Sequence, residues 1–103
     1  MAKNVLRTTK INLALQILPK SNSTKTYEII DKAIEVIQKS GLKYLVCPFE
    51  TVIEGPYEEV MKLVKEAQDI CFKHGATELI ANIKIQRAID HDVFIDDKLA
   101  KYK

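Results

Sequence analysis

Cysteine is scarce in this chain. Cys47 and Cys71 are the only two among 103 residues, and they stand far apart in segments of regular pattern. Two such thiols read as small buried apolar side chains. A disulfide between them is the alternative, but nothing else points to an oxidising compartment. Long apolar runs are missing too, since no stretch approaches the roughly 20 residues a membrane-spanning helix needs. Met1–Lys10 is basic and leads into Ile11–Pro19, which gives a superficial likeness to a signal peptide. Asn12 and Gln16 interrupt that stretch and no small-residue cleavage site follows, so a cytoplasmic location is expected. Neither charge sign is in excess: 16 Lys and Arg face 14 Asp and Glu, for a net charge of +2. That balance gives no electrostatic footprint for nucleic acid. The small basic cluster Lys98, Lys101 and Lys103 reads as a solvated tail.

Catalytic machinery is also lacking. His74 and His91 are too remote from each other to suggest a metal pair. His74 falls in the last turn of an expected helix, and His91 lies between Asp90 and Asp92 in an expected loop. No nucleophile with an adjacent base is visible, so no enzyme is expected.

What is present is ordinary globular composition, 47% hydrophobic and 29% charged, in a length suited to one domain. The expected domain spans 1–103, with a core at about 11–88 and a C-terminal extension at 89–103. A chain this short leaves roughly a third of its extended surface exposed when folded, and oligomerisation is a common way to bury more.

Ile11, Leu13, Leu15 and Ile17 alternate with Asn12, Ala14, Gln16 and Leu18, the period of a strand with one buried face; Pro19 is expected to end it. Ser21, Asn22, Ser23 and Thr24 offer helix N-caps. Tyr27, Ile30, Ile34 and Ile37 then recur at helical spacing, with Asp31, Lys32, Glu35 and Gln38 outward, until Gly41. Leu42–Phe49 and Thr51–Glu54 read as two strands joined by a short hairpin. Pro56 opens a second helix whose apolar stripe is Val60, Leu63, Val64, Ala67, Ile70 and Cys71, and Gly75 stops it. Glu78–Gln86 alternates again, and a short amphipathic piece follows near Ile95–Tyr102.

The order is βαββαβ, and the halves resemble each other: Lys39–Val46 lines up with Lys73–Ile80 at a helix end, a glycine stop and a strand start. A duplicated βαβ unit is what the ferredoxin-like α+β sandwich consists of, with both helices on one face of a four-stranded antiparallel sheet. The other face is then open. Strand phase assigns to it Ala14, Gln16 and Leu18, Val52 and Glu54, and Ile80, Asn82, Lys84 and Gln86; the duplication adds Tyr44 and Val46. This semi-apolar mixture suits a contact surface or a ligand site, against the plainer reading of ordinary outward residues.

The βαββαβ order hosts many functions. RNA-binding modules of this order need aromatic stacking residues on the central strands, and Leu13-Ala14-Leu15-Gln16 and Thr51-Val52-Ile53-Glu54 have none. A soft-metal module would carry Cys-x-x-Cys in the first loop, where Lys20-Ser21-Asn22-Ser23 stands; a phosphate cradle would want arginine and glycines there.

Gly41-Leu42-Lys43-Tyr44, Pro48-Phe49-Glu50-Thr51-Val52-Ile53-Glu54-Gly55, and Ile83-Lys84-Ile85 with Arg87 nearby resemble the small thiamine-binding protein family, over roughly Ile11–Lys103. The resemblance implies a ferredoxin-like fold, homodimers paired into homotetramers through their sheets, and binding of thiamine or its hydroxymethylpyrimidine moiety without turnover. No further cofactor, no nucleic acid and no membrane partner is expected. The family usually has glycine before the threonine, where this chain has Glu50.

In that setting the candidate ligand-binding residues are Gln16, Tyr44, Thr51, Glu54 and Lys84. Glu54 would accept from the pyrimidine amine or face the thiazolium cation, or is a solvated strand-end carboxylate. Gln16 offers both donor and acceptor, or is an ordinary face residue. Tyr44 would stack on a ring or sit in a subunit interface. Thr51 would bond the ligand or shape the hairpin, and Lys84 repels a cation and can instead pair with Glu54. The competing reading is a structural or regulatory oligomerisation module whose open face is wholly a subunit contact.

Overall fold

The computed structural model describes residues 9–22 and 25–102. Its elements are β1 (Lys10–Ser21), α1 (Thr26–Gln38), β2 (Lys43–Val46), β3 (Thr51–Pro56), α2 (Tyr57–Lys73), β4 (Ala76–Gln86), α3 (Ile95–Leu99) and a 3-10 turn at Ala100–Tyr102. The four strands form one antiparallel sheet in the order β2-β3-β1-β4, so β1 and β3 are central as the βαββαβ reading requires. This is the ferredoxin-like α+β arrangement.

The alternation of β1 is realised in full. Ile11, Leu13, Leu15 and Ile17 are buried and join Ile53 of β3, Ile29, Ala33 and Ile37 of α1, and Val60, Leu63, Val64, Ala67 and Cys71 of α2 in one core. Burying each large aliphatic side chain stabilises the fold by about 1.5–3 kcal/mol, so this cluster, with both helices on one side, fixes which face stays open. The stripe expected for α2 is buried except for the half-buried Ile70. Gly41, at φ 86, turns the chain after α1 in the left-handed region, and Gly75 does the same after α2.

Five local expectations are corrected. Pro19 does not end β1, which continues to Ser21. Among the described residues β1 has only β4 beside it from Gln16 onward, and a proline is tolerated in a strand with one edge unpaired. In α1 the buried stripe is Ile29, Ala33 and Ile37; Ile30 and Ile34 are half-buried and Tyr27 is 82% exposed. Lys25 occupies the N-cap with no side-chain cap bond; of the cap candidates, Ser23 and Thr24 lie outside the described residues.

The other two corrections concern β2, which covers Lys43–Val46 only and has the opposite phase from the one expected. Tyr44 pairs with Ile53 and Val46 with Thr51, so both face the helices, while Leu45 pairs with Val52 on the open face. The two halves lose phase because the β1–β4 register shifts: Lys20 pairs with Glu78 but Ser21 with Ala76, leaving Thr77 as an extra residue. Such a bulge flips the faces of everything beyond it relative to the unbulged copy.

Candidate functional site

The ladder arranges the open face in rows. Leu45, Val52, Ala14 and Lys84 form one row across all four strands, and Lys43, Glu54, Asn12 and Gln86 form the next. Gln16–Asn82 and Leu18–Ile80 continue it along β1 and β4, where Asn82 Nδ2 donates to Gln16 Oε1 at 3.1 Å.

The C-terminal segment folds back over this face. Lys10 N donates to Asp92 Oδ1 at 2.8 Å, and Val93 N donates to the Lys10 carbonyl at 3.0 Å. Val93 and Ile95 are buried. Ile95 N then donates to Glu54 Oε1 at 2.5 Å, Asn12 Nδ2 donates to the Val93 carbonyl at 3.0 Å and to Glu54 Oε1 at 3.3 Å, and Lys98 Nζ donates to Asn12 Oδ1 at 2.6 Å. Lys43 and Asp96 pair at 2.6 Å, and this bond is the main reason that the Lys43 pKa is raised. Asn12 and Glu54 are consequently 4% and 6% exposed, although they lie on the face turned away from the two long helices.

Beside the segment lies a cavity of about 450 Å³. Small Ala14 and Val52 lie beneath it, Leu45 and Cys47 border it, Ile95, Lys98 and Leu99 supply one wall, and Asn12, Glu50, Lys84 and Gln86 bring polar groups. This volume and this mixture of an apolar lining with few polar groups suit a small organic molecule. Lys84 Nζ stands 3.4 Å from Glu50 Oε1. Its Lys84 end is exposed and its Glu50 end half-buried, so the pair is worth about 1 kcal/mol and a ligand can displace it.

A second cavity, of about 400 Å³, lies across the 47–50 hairpin loop. Core residues Leu15, Ala33 and Ile37 border it, with Tyr27 and Phe49, both 82% exposed, and Gln16 and Thr51. It carries fewer groups able to orient a polar ligand.

The five candidate residues are therefore not brought together. Lys84 lines the sheet-face cavity. Gln16 and Thr51 line the second one, and Thr51 is buried on the helix-facing side, where Leu15 is its ladder partner. Tyr44, on that same side, lines neither, and Glu54 lies under the C-terminal segment. Lys84 pairs with Glu50 and not with Glu54. Sequence reasoning missed Asn12, Leu45, Gln86, Ile95, Lys98 and Leu99 as lining residues. Alternation alone places Asn12 and Gln86 on this face, whereas nothing local in the sequence shows that Ile95 to Leu99 returns to it. Of the two cysteines, Cys71 is buried as expected and Cys47 is half-buried; both are free.

Among the described residues no group of three or more His, Cys, Asp or Glu side chains is placed to hold a metal ion, and no helix is long and apolar enough to cross a membrane.

The fold and this cavity define a ferredoxin-like α+β domain whose exposed sheet face is roofed in part by its own C-terminal segment. The chain belongs to the thiamine-binding protein family, which matches it over residues 13–103. It is 39% identical to a UPF0045 protein of Clostridium perfringens over 92 residues, 89% of this chain and 96% of that one. Among solved structures, a domain of unknown function from Bacillus cereus superposes with a TM-score of 0.89 at 37% identity, covering 92% of this chain and 91% of that chain. A proposed thiamine biosynthesis/salvage protein of Thermotoga maritima superposes with a TM-score of 0.82 at 31% identity, covering 91% and 99%.

Proposed function

We propose that this chain binds thiamine or its hydroxymethylpyrimidine moiety in the sheet-face cavity, without turning it over, as a cytoplasmic carrier, buffer or sensor within a homo-oligomer. The observation that carries this reading is the cavity itself, found in a chain of a family named for thiamine binding. Leu45, Val52 and Ala14 offer an apolar surface for a flat ring. The Gln86 amide can donate to and accept from a pyrimidine edge, and the Glu50 carboxylate can accept from the exocyclic amine or face the thiazolium charge. Lys84 then acts as the counter-ion of Glu50 in the free protein and gives way to a cationic ligand. The lining's Cys47 thiol meets the Leu45 carbonyl at 3.8 Å, a backbone acceptor that cannot serve as its base, and this reading needs no cofactor, nucleic acid or membrane.

Isothermal titration of the folded protein with thiamine and with hydroxymethylpyrimidine tests the proposal. Saturable heat with at least one is expected, and Glu50→Ala should weaken it about tenfold, the value of one charge-assisted hydrogen bond. No heat with either ligand removes the reading.

A second reading, a structural or regulatory oligomerisation module, is favoured by one observation. Leu18 and Ile80 form a cross-strand pair on the same face, clear of the C-terminal segment, and are 44% and 52% exposed. Sheet-to-sheet contact between copies of the chain would cover them. It predicts a stable oligomer that binds neither ligand.

A further inference from the structure

The buried carboxylate of Glu54 lies outside the cavity lining, yet it belongs to the polar cluster that seats one wall of that cavity. Removing a carboxylate from water costs several kcal/mol unless donors meet it. Here Ile95 N and Asn12 Nδ2 both donate to Glu54 Oε1. Asn12 in turn donates to the Val93 carbonyl and accepts from Lys98 Nζ. Three of these four bonds run from the sheet to the C-terminal segment, and the fourth ties Asn12 to Glu54 within the sheet. The same segment supplies Ile95, Lys98 and Leu99 to the cavity.

We infer that Glu54 is a positioning residue: through Ile95 and Asn12 it holds the C-terminal segment against the sheet as the wall of the ligand cavity, without touching the ligand. This rests on the ligand reading above for its affinity arm only. A ligand that meets Ile95, Lys98 and Leu99 makes those contacts only while the segment is seated. Ligand binding and seating therefore favour each other by the same factor. The Lys10–Asp92, Val93–Lys10 and Lys43–Asp96 bonds also tie the segment to the sheet, but neither they nor the apolar burial of Val93 and Ile95 meets the Ile95 amide.

The test compares Glu54→Ala and Glu54→Gln with the unmodified chain. The glutamine keeps an oxygen that accepts from both Ile95 N and Asn12 Nδ2; the alanine keeps none. In the free protein, amide hydrogen exchange at Ile95–Leu99 should speed up about tenfold or more in Glu54→Ala and stay within about threefold in Glu54→Gln. Thiamine affinity by titration should follow the same order, falling about tenfold in the alanine variant and recovering in the glutamine one. In the unmodified chain, saturating thiamine should slow exchange at the Ile95 amide, a readout that survives if Glu54→Ala does not fold. Unchanged exchange of the segment in Glu54→Ala overturns the inference, as does an Ile95 amide indifferent to bound thiamine. Should the unmodified chain bind no thiamine, the ligand reading fails by itself, and the free-protein exchange still decides the role of Glu54.

Discussion

Each of the two thiols meets a different surrounding. Cys71 is fully enclosed by α2 and the core, its Sγ lies 3.3 Å from the Ala67 carbonyl, and burial pushes its pKa up, so it stays a neutral thiol. Cys47 borders both cavities in the hairpin loop and is half-buried. Because the thiolate is the reacting form, iodoacetamide should label Cys47 well before Cys71, as peptide mass spectrometry would report. If the sheet-face cavity takes thiamine, adding it should slow the labelling of Cys47; equal rates with and without ligand would count against that cavity. At this scale the sequence carried chemistry better than placement. Glu54 was recognisable as an odd carboxylate on a semi-apolar face. Its partners, Ile95 and Asn12, lie 41 and 42 positions away, and only the folded chain brings them together.

Among the elements, α1 and β2 show how a correct type can carry a wrong phase. Period alone allows two stripes on α1, because Ile30 and Ile34 stand next to Ile29 and Ala33 and a small alanine gives little signal. The packing selects Ile29, so Ile29→Ala should cost about 2–4 kcal/mol in urea denaturation. Tyr27→Ala, on the exposed side, should shift stability by no more than about 0.5 kcal/mol. Equal costs for the two substitutions would mean that the helix is rotated. For β2 the internal duplication was real in its glycine stop and strand start, but the extra residue at Thr77 in β4 put the copies out of step. One inserted residue exchanges inside for outside, and an ungapped comparison of two short segments carries no trace of it.

For the molecule as a whole, the layer order was legible. Two helical stripes, four strand segments and two glycine stops leave few ways to close a core, and β1 and β3 were rightly placed at the centre. The return of the C-terminal segment was not legible, since five helical residues with one buried isoleucine could rest on many surfaces. That return divides the sheet face into a roofed end at Asn12 and Glu54 and an uncovered end at Leu18 and Ile80. If the uncovered end joins copies of the chain, the double variant Leu18→Glu, Ile80→Glu should sediment as a monomer and keep its far-ultraviolet spectrum. An unchanged oligomer would place the contact elsewhere.

The unequal lengths of the central strands have one more consequence. Beyond Leu15, β1 runs on to Ser21 without β3 alongside, leaving a rim of backbone that no other described strand pairs with and at which another polypeptide could add itself. Pro19 stands in that stretch and has no amide hydrogen to share, while the Lys20 ammonium beside it is turned to Glu78 of β4 at 3.9 Å. The proline that fails to terminate the strand thus leaves one bond fewer for a further strand to make along this rim.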